Sequence, residues 1–271
     1  MPVSPDAAQT FAAPVTEAEP FIRLRSAAKT FRRNKTSFTA VSDVSFDVAD
    51  GEFVCLVGPS GCGKSTVLRI LAGLLEADAG SEVRMGSPGR PLDPGRDVGI
   101  AFQQPLLLKW RRVLENVLLP ADILGLPRRE AHERARYLLD LVGLTGAERK
   151  YPYELSGGMQ QRVAIARSLI HDPKLVLMDE PFGALDALTR ERMNVELLRI
   201  WRSSGKTIVL VTHGISEAVF LGQRVVVLTA GPARMAADIP IDLPLERTLD
   251  LKTHEVFGKY SRQIYELLGL H

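Results

Sequence analysis

The chain has 271 residues, of which 45% are hydrophobic and 24% charged, a composition that is ordinary for a globular protein with a substantial core. Its 34 basic and 32 acidic residues give a net charge of +2, which provides no reason to expect a nucleic-acid partner. No apolar stretch approaches the roughly 18 residues of a membrane-spanning helix. The first residues lack the pattern of a secretory signal, so we expect a cytosolic chain. The only cysteines are Cys55 and Cys62, and a disulfide framework is not expected.

The order of elements along the chain predicts an α/β fold. Residues 1–20 are rich in Ala, Pro, Thr and Glu, and we expect a disordered leader there. Alternation of apolar and polar residues at 22–24 and 44–48 predicts half-buried antiparallel strands. Continuous apolar runs are typical of interior strands in a parallel sheet covered by helices. Four such runs occur, at residues 53–57, 175–178, 208–211 and 225–228.

Two helical regions complete the predicted organisation. Residues of about 105–165 read as a helical insert within a domain that spans residues 21–240. Residues 241–271 form a C-terminal helical tail, in which apolar residues from Val256 to Leu268 recur at helical spacing. We expect this amphipathic helix to pack on the protein's own body rather than on a partner.

The first motif is a glycine-rich loop that follows the apolar run at 53–57 and precedes a predicted helix. This context confirms the Walker A pattern G-x-x-x-x-G-K-[ST], whose backbone N–H groups surround phosphate oxygens. Lys64 is expected to reach the β- and γ-phosphates, and the Ser65 hydroxyl to ligate Mg²⁺. The predicted ATP-binding residues of the loop are Gly58, Pro59, Ser60, Gly61, Cys62, Gly63, Lys64, Ser65 and Thr66.

Two acidic residues, Asp179 and Glu180, directly follow the apolar run at 175–178. They therefore lie at the strand end where ligands bind in an open α/β sheet. Asp179 is placed to hold Mg²⁺, and Glu180 suits the general base that polarises an attacking water. Alone, such a pair is as often a solvated turn; the Walker A loop on another strand favours the catalytic interpretation.

The most specific motif begins at Leu155 and continues with Ser156, Gly157, Gly158 and Met159. A serine and two glycines that open a helix form a second anion-binding terminus. Here the sequence resembles the ATPase subunits of the ATP-binding cassette (ABC) family, whose signature is LSGGQ. The resemblance implies a P-loop NTPase (RecA-like) core with an antiparallel β subdomain and an inserted α-helical subdomain. It also implies a homodimer in which the signature of one subunit closes over ATP held by the other.

The remaining family elements occur in order. Gln103 matches the glutamine implied to contact Mg²⁺ and the lytic water, and His213 matches the switch histidine implied to hold the γ-phosphate. Asp186 matches the loop that passes between subunits. Phe31 stands where the family has an aromatic residue that stacks on adenine, but it suits a core position equally well, and Phe38 is a weaker competitor. The resemblance thus predicts Glu180, His213 and Gln103 as catalytic residues, and Ser65, Gln103 and Asp179 as Mg²⁺ ligands.

Two departures from the family pattern occur: Met159 replaces the usual signature Gln, and Gly214 replaces the Asp that commonly follows the switch histidine.

The segment around Trp110 resembles the nitrate, sulfonate and taurine branch of importer ATPases, although burial of Trp110 is an equally good interpretation. This resemblance implies a membrane permease as partner, a periplasmic solute-binding protein, and a peripheral position on the cytoplasmic face of the plasma membrane. The alternative is a soluble ABC ATPase that is not linked to transport.

Overall fold

The computed structural model describes residues 19–33, 36–87 and 89–269. The predicted leader therefore falls almost entirely outside the described residues. Within these ranges, ten strands form one mixed sheet in the order β5-β4-β1-β2-β10-β9-β3-β8-β7-β6. The strands are β1 (Ile22–Arg33), β2 (Thr36–Val48), β3 (Phe53–Val57), β4 (Glu82–Ser87), β5 (Arg90–Pro91), β6 (Val98–Ala101), β7 (Leu175–Asp179), β8 (Thr207–Thr212), β9 (Arg224–Leu228) and β10 (Ala233–Pro240).

The sheet has a parallel part and an antiparallel part, as the sequence predicts. Strands β9, β3, β8, β7 and β6 run parallel to one another, and they contain all four continuous apolar runs. Strands β1 and β2 pair in antiparallel register, with Ile22 opposite Val48 and Leu24 opposite Phe46. Parallel strands are buried on both faces, whereas antiparallel strands commonly bury only one, which accounts for the two sequence patterns.

Helices cover the parallel strands on both sides. They are α1 (Lys64–Leu71), α2 (Pro94–Asp97), α3 (Val113–Ile123), α4 (Arg128–Leu141), α5 (Gly157–Leu169), α6 (Ala187–Ser204), α7 (Ile215–Leu221) and α8 (Glu255–Leu267). Short 3₁₀ turns lie at Pro152–Glu154 and Leu249–Thr253. The inserted helices α3, α4 and α5 pack on one another, and α5 carries the signature motif at its start.

Alternate residues of β3 point into two separate hydrophobic clusters. Phe53 and Cys55 belong to a cluster with residues of α3 to α8, whereas Val54 and Leu56 belong to a cluster with α1, β1 and β2. This alternation follows from the period of two in a strand. Both cysteines are free and buried. The central strand is therefore fixed from both sides, and the loop that leaves its carboxyl end has a rigid base.

Among the described residues, no helix combines the length and the apolar character that crossing a bilayer requires.

Candidate functional site: a phosphate loop and a strand-edge carboxylate cluster

The predicted site residues converge at the carboxyl ends of the parallel strands, where ligands bind in sheets of this type. The Walker A loop leaves β3, Asp179 ends β7 with Glu180 directly after it, and His213 follows β8 directly. One cleft is lined by aromatic, phosphate-loop and catalytic candidates from these segments and from β1 and β2. Its lining residues are Phe31, Phe38, Ala40, Ser60, Gly61, Gly63, Lys64, Ser65, Thr66, Arg69, Gln103 and Glu180.

The path of the Walker A loop depends on glycine at its last turn. Gly63 has a φ of 116° and precedes the first residue of α1, and few L-residues adopt that conformation. A Cβ atom built on Gly63 would lie 2.5 Å from the carbonyl oxygen of Ala40. The loop therefore approaches β2 more closely than any side chain would allow. Cys62 belongs to the buried cluster that includes residues of α1 and does not line the cleft, so at this position only the backbone can contact a ligand.

Lys64 is folded back onto the loop. Its side chain is buried, and Nζ donates to the carbonyl oxygens of Gly58 and Pro59 at 2.7 and 2.9 Å. These contacts hold the ammonium group against the loop that precedes α1, which begins at Lys64 itself. The two sources of positive potential, a full charge and the helix terminus, thus act on the same small volume.

Ser65 and Asp179 connect α1 to β7. The Ser65 hydroxyl donates to Oδ1 of Asp179 at 3.0 Å. Burial raises the pKa of the Asp179 carboxyl above its ordinary value, the neighbouring Glu180 adds to this increase, and the hydrogen bond from Ser65 opposes it. A hydroxyl and a carboxylate at the bottom of a phosphate loop are oxygen donors of the kind that Mg²⁺ prefers. The residues present therefore fit a magnesium ion.

Glu180 lies at the centre of a second group of polar side chains. Its Oε2 atom is 3.2 Å from Nε2 of Gln103 and 3.2 Å from Nδ1 of His213. Its backbone has a φ of 45°, a left-handed conformation that costs free energy for a residue other than glycine. The Glu180 N–H donates to the carbonyl oxygen of Val211 at 2.8 Å, which ties the turn to β8. Glu180 therefore contacts both of the other predicted catalytic residues through the same carboxylate oxygen.

The aromatic candidates are cross-strand partners. Phe31 of β1 lies opposite Phe38 of β2, and their exposed fractions are 40% and 61%. Both line the cleft, so the core interpretation of Phe31 is wrong, and Phe38, the weaker candidate for contact with adenine, is exposed in the same cleft. Two exposed aromatic rings on neighbouring strands offer a flat apolar surface of the kind that a nucleobase stacks on.

The signature motif does not line this cleft in the same chain, as far as the described residues extend. Ser156 caps α5 by accepting the N–H of Met159 at 3.3 Å. A Cβ atom on Gly157 would meet nothing within 4 Å, whereas one on Gly158 would lie 3.0 Å from Leu185. Met159 packs partly buried against the helical cluster. The start of α5 is thus a helix N-terminus with an open face, separate from the Walker A loop.

Asp186 caps α6 by accepting the N–H of Thr189 at 2.9 Å. It follows Leu185, the residue that Gly158 approaches. The signature and this loop are therefore neighbours on the surface, which places the two motifs that the resemblance assigns to a subunit interface side by side.

Sequence reasoning missed a polar cavity on the far side of Glu180 and His213. It is lined in part by Arg190, Asn194, Glu217 and Lys252. Glu217 is buried, and burial raises the pKa of its carboxyl, while the Thr212 hydroxyl, Arg190 and His213 oppose the increase. The available signal was Glu217 itself, an acidic residue in helix α7, whose other residues apart from Ser216 are apolar.

The fold and the site together define an ATP-binding and ATP-hydrolysing cassette. The family described as "ABC transporter" matches residues 41–183. The chain is 43% identical to the taurine import ATP-binding protein of Roseobacter denitrificans over 84% of this chain and 86% of that protein. It is 44% identical to the nitrate import ATP-binding protein of a Synechocystis strain over 89% of this chain and 92% of that protein. The chain therefore belongs to the ABC transporter family.

Solved structures agree with this assignment. The dimeric structure of a bacterial ABC transporter cassette has a TM-score of 0.74 and 34% identity, and covers 82% of this chain and all of that one. The same cassette in a dimeric post-hydrolysis state bound to ADP and Pi has a TM-score of 0.72.

Proposed function

We propose that this chain is the ATP-hydrolysing subunit of an importer and that it drives uptake of nitrate, a sulfonate, taurine or a similar small solute through a separate permease. The names of the relatives support this function, because those of 43% and 44% identity are import ATP-binding proteins for taurine and nitrate. The observation that carries the proposal is an exposed tryptophan on a segment that begins inside the catalytic cleft. Trp110 is 74% exposed, so its burial, the alternative from the sequence, is wrong.

The segment between Gln103 and Trp110 is fixed although it contains no regular secondary structure. Arg167 of α5 donates to the carbonyl oxygens of Pro105 and Leu106 at 2.7 and 2.9 Å. Asn116 of α3 accepts the N–H of Leu108 at 2.7 Å and donates to its carbonyl oxygen at 3.1 Å. Backbone groups of an irregular loop need such partners to hold one conformation. A rigid segment therefore joins a side chain at Glu180 to an apolar surface, which suits a dock for the permease.

In the proposed mechanism the cleft of one chain binds ATP, with the adenine on Phe31 and Phe38. The phosphates contact the Walker A residues, including the backbone of Gly61 and Gly63 and the side chain of Lys64. Ser65, Asp179 and Gln103 would hold Mg²⁺, which when bound supplies positive charge against the β- and γ-phosphates. Thr66 lies in the first turn of the phosphate-binding helix α1, beside Ser65.

The catalytic group acts next to that phosphate site. Glu180 orients the attacking water and accepts its proton, since a carboxylate within hydrogen-bond reach of the water is suited to general-base catalysis. His213 donates a hydrogen bond towards the γ-phosphate. The amide of Gln103 stays hydrogen-bonded to Glu180. Because Gln103 begins the segment that leads to Trp110, it links the reaction to that segment.

A second copy of the chain would complete each ATP site. Ser156, Gly157, Gly158 and Met159 of one copy face the ATP of the other, with Asp186 at the seam. The open face at Gly157 supports this role, as do the dimeric structures of the similar cassette. ATP stabilises the closed dimer more than ADP does, and this difference in affinity supplies the work of transport.

We further propose that the dimer works as a peripheral subunit on the cytoplasmic face of the plasma membrane, beneath a permease that receives solute from a periplasmic binding protein. The test is uptake of labelled nitrate, taurine and an alkanesulfonate by cells that lack this chain and carry it again as wild type or as Lys64→Ala. Restoration of uptake of one solute by the wild type alone is expected. Equal uptake with and without the chain would favour the alternative, an ABC ATPase that is not linked to transport.

The dock is tested by pulling down the chain from membranes and measuring the permease that remains with it. Trp110→Ala is expected to reduce this association at least tenfold, because buried tryptophan anchors dominate interfaces. The matched control is Leu74→Ala, because Leu74 is 59% exposed and follows the far end of α1. Equal retention of the permease by both variants would exclude Trp110 from the dock.

A further inference from the structure

The C-terminal segment, residues 241–269, is packed on the helix that follows the switch histidine. Its apolar residues Leu251, Phe257 and Ile264 are buried in the same cluster as Ile215 and the rest of α7. Helix α8 contacts α7 directly. The segment is therefore part of the body of the domain, and two of its charged side chains reach α7 at chemically defined points.

Arg247 caps the carboxyl end of α7. It is only 6% exposed, and its Nη1 atom donates to the carbonyl oxygens of Val219, Phe220 and Gly222 at 3.1, 2.8 and 3.0 Å. In the part of the chain that the structure describes, no carboxylate pairs with this guanidinium. The last carbonyl groups of a helix carry partial negative charge and have no partner within the helix. Arg247 thus satisfies these groups and ties the end of α7 to the segment.

Lys252 contacts α7 next to the polar cavity that Glu180 and His213 line. Its Nζ atom lies 2.5 Å from Oε2 of Glu191 on α6 and 4.9 Å from the centre of the Phe220 ring. The Lys252 side chain is 18% exposed, and it lines the same cavity as Glu180 and His213. A cation between a carboxylate on one helix and an aromatic face on the next fixes the distance between α6 and α7.

The position of α7 determines the position of His213. Strand β8 is held on both sides by β3 and β7 and ends at Thr212, while α7 begins at Ile215. Only His213 and Gly214 join them, and the Gly214 N–H donates to the Thr212 hydroxyl at 2.9 Å. A link of two residues has little freedom when both of its ends are fixed. A shift of α7 must therefore move His213, whose side chain is 59% exposed and has Glu180 as its partner.

We propose that Arg247 and Lys252 are positioning residues for ATP hydrolysis, which hold α7 so that His213 stays in contact with Glu180. This inference rests on the proposed role of His213. Neither side chain lines the cleft that contains the Walker A loop. Their removal is therefore expected to slow hydrolysis and to leave ATP affinity unchanged.

The test uses the purified full-length chain and measures kcat, the Kd for ATP and the unfolding midpoint. Lys252→Met keeps most of the length of the side chain and removes its charge, and we expect kcat to fall about tenfold, a change of about 1.4 kcal/mol in the barrier. The Kd for ATP should stay within about twofold. Lys252→Arg should restore most of kcat, because it keeps a cation between Glu191 and Phe220. The control is Lys259→Met, because Lys259 is an exposed lysine on α8 that pairs with Glu255 within its own helix.

A double-mutant cycle with His213→Ala shows whether Lys252 acts through the histidine. We expect Lys252→Met to cause no further loss of kcat when His213 is absent. Full kcat in Lys252→Met would overturn the proposal, as would a loss that is the same with and without His213, or one that occurs together with equal losses in ATP affinity and unfolding midpoint.

The two proposals fail in different ways. If His213→Ala lowers kcat and Lys252→Met does not, the positioning role is wrong and the role of His213 stands. If His213→Ala keeps full turnover, the role proposed for His213 is wrong, whatever Lys252→Met does. Arg247→Met is a second probe with a larger expected effect, since it leaves three helix-end carbonyls without their donor.

Discussion

Nδ1 of His213 lies 3.2 Å from Oε2 of Glu180. The two residues follow neighbouring parallel strands, β8 and β7, so the sheet brings them together although 32 residues separate them in the sequence. The same oxygen of Glu180 also accepts from Gln103. One oxygen of Glu180, the residue after β7, thus contacts the residue after β8 and the first residue of the segment that leads to Trp110.

Lys64→Ala should weaken ATP binding at least tenfold. The ammonium group is held among the carbonyl groups of its own loop, and charge-assisted hydrogen bonds to phosphate contribute about 1.5 to 3 kcal/mol. Fluorescence titration with a labelled ATP analogue measures the change. Lys174→Ala is the control, because Lys174 pairs with Asp97 away from the cleft. Equal affinities of the two variants would contradict the role of Lys64.

Asp179→Asn should remove the gain in ATP affinity that Mg²⁺ provides. The substitution keeps the size of the side chain and one oxygen, but it removes the charge that a hard divalent cation requires. Calorimetric titration with ATP, in magnesium and in a chelator, should give equal affinities for the variant and different ones for the wild type. A gain of wild-type size in Asp179→Asn would exclude this carboxylate from the magnesium site.

Gly157→Ala should weaken assembly of the dimer and leave folding of the single chain unchanged. The added methyl group meets nothing within 4 Å in the single chain, so the free energy of unfolding should change by less than about 0.5 kcal/mol. In a dimer the methyl group would stand between the helix terminus and the phosphates, and ATP-dependent dimerisation should fall at least tenfold.

Size-exclusion chromatography in ATP measures that dimerisation. The control is Gly258→Ala, because a methyl group on Gly258 of α8 also meets nothing within 4 Å. If Gly157→Ala dimerises as well as Gly258→Ala does, the open face of α5 is not part of the seam.

Glu217→Gln should stabilise the protein increasingly as pH rises. Burial holds the pKa of the native Glu217 carboxyl above its ordinary value of 4.5, so the native state binds more protons than the unfolded state between those two values. Stability of the wild type therefore declines as pH rises through this window. Each tenfold difference in proton affinity is worth about 1.4 kcal/mol.

Urea unfolding of both proteins from about pH 4 to about pH 8 measures the difference. Glutamine does not titrate, and contributions from other groups such as Asp179 are common to both proteins. The advantage of Glu217→Gln should be small at the acid end and largest at neutral pH. A difference that does not depend on pH would show that Glu217 does not titrate abnormally.

The sequence predicted the parts of the site that depend on local order. The run Phe53–Val57, the glycine loop and the acidic pair at the end of β7 are short motifs whose geometry follows from neighbouring residues. Gln103 has no such local signal, and it could be identified only through resemblance to a family, because its segment takes its shape from the side chains of Arg167 and Asn116.

The residues that sequence reasoning missed are buried charged groups with distant partners. Arg247 reaches three carbonyl groups on α7, and Glu217 lies against Arg190 and Lys252 from two other elements. A charged residue in an apolar stretch indicates burial with a partner, but the partner depends on how helices pack. The exposure of Trp110 could not be predicted from the sequence either, because an isolated tryptophan suits a core or an interface equally well.

The most direct test of the account is the behaviour of Glu180→Gln in ATP and Mg²⁺. Glutamine retains the hydrogen bonds of the side chain but cannot accept the proton of the attacking water. Turnover of ATP should fall by at least a hundredfold while the Kd for ATP is unchanged, and the protein should accumulate as a stable dimer that holds two ATP molecules. Full turnover in Glu180→Gln, with no trapped dimer, would contradict the assignment of Glu180 as the catalytic base.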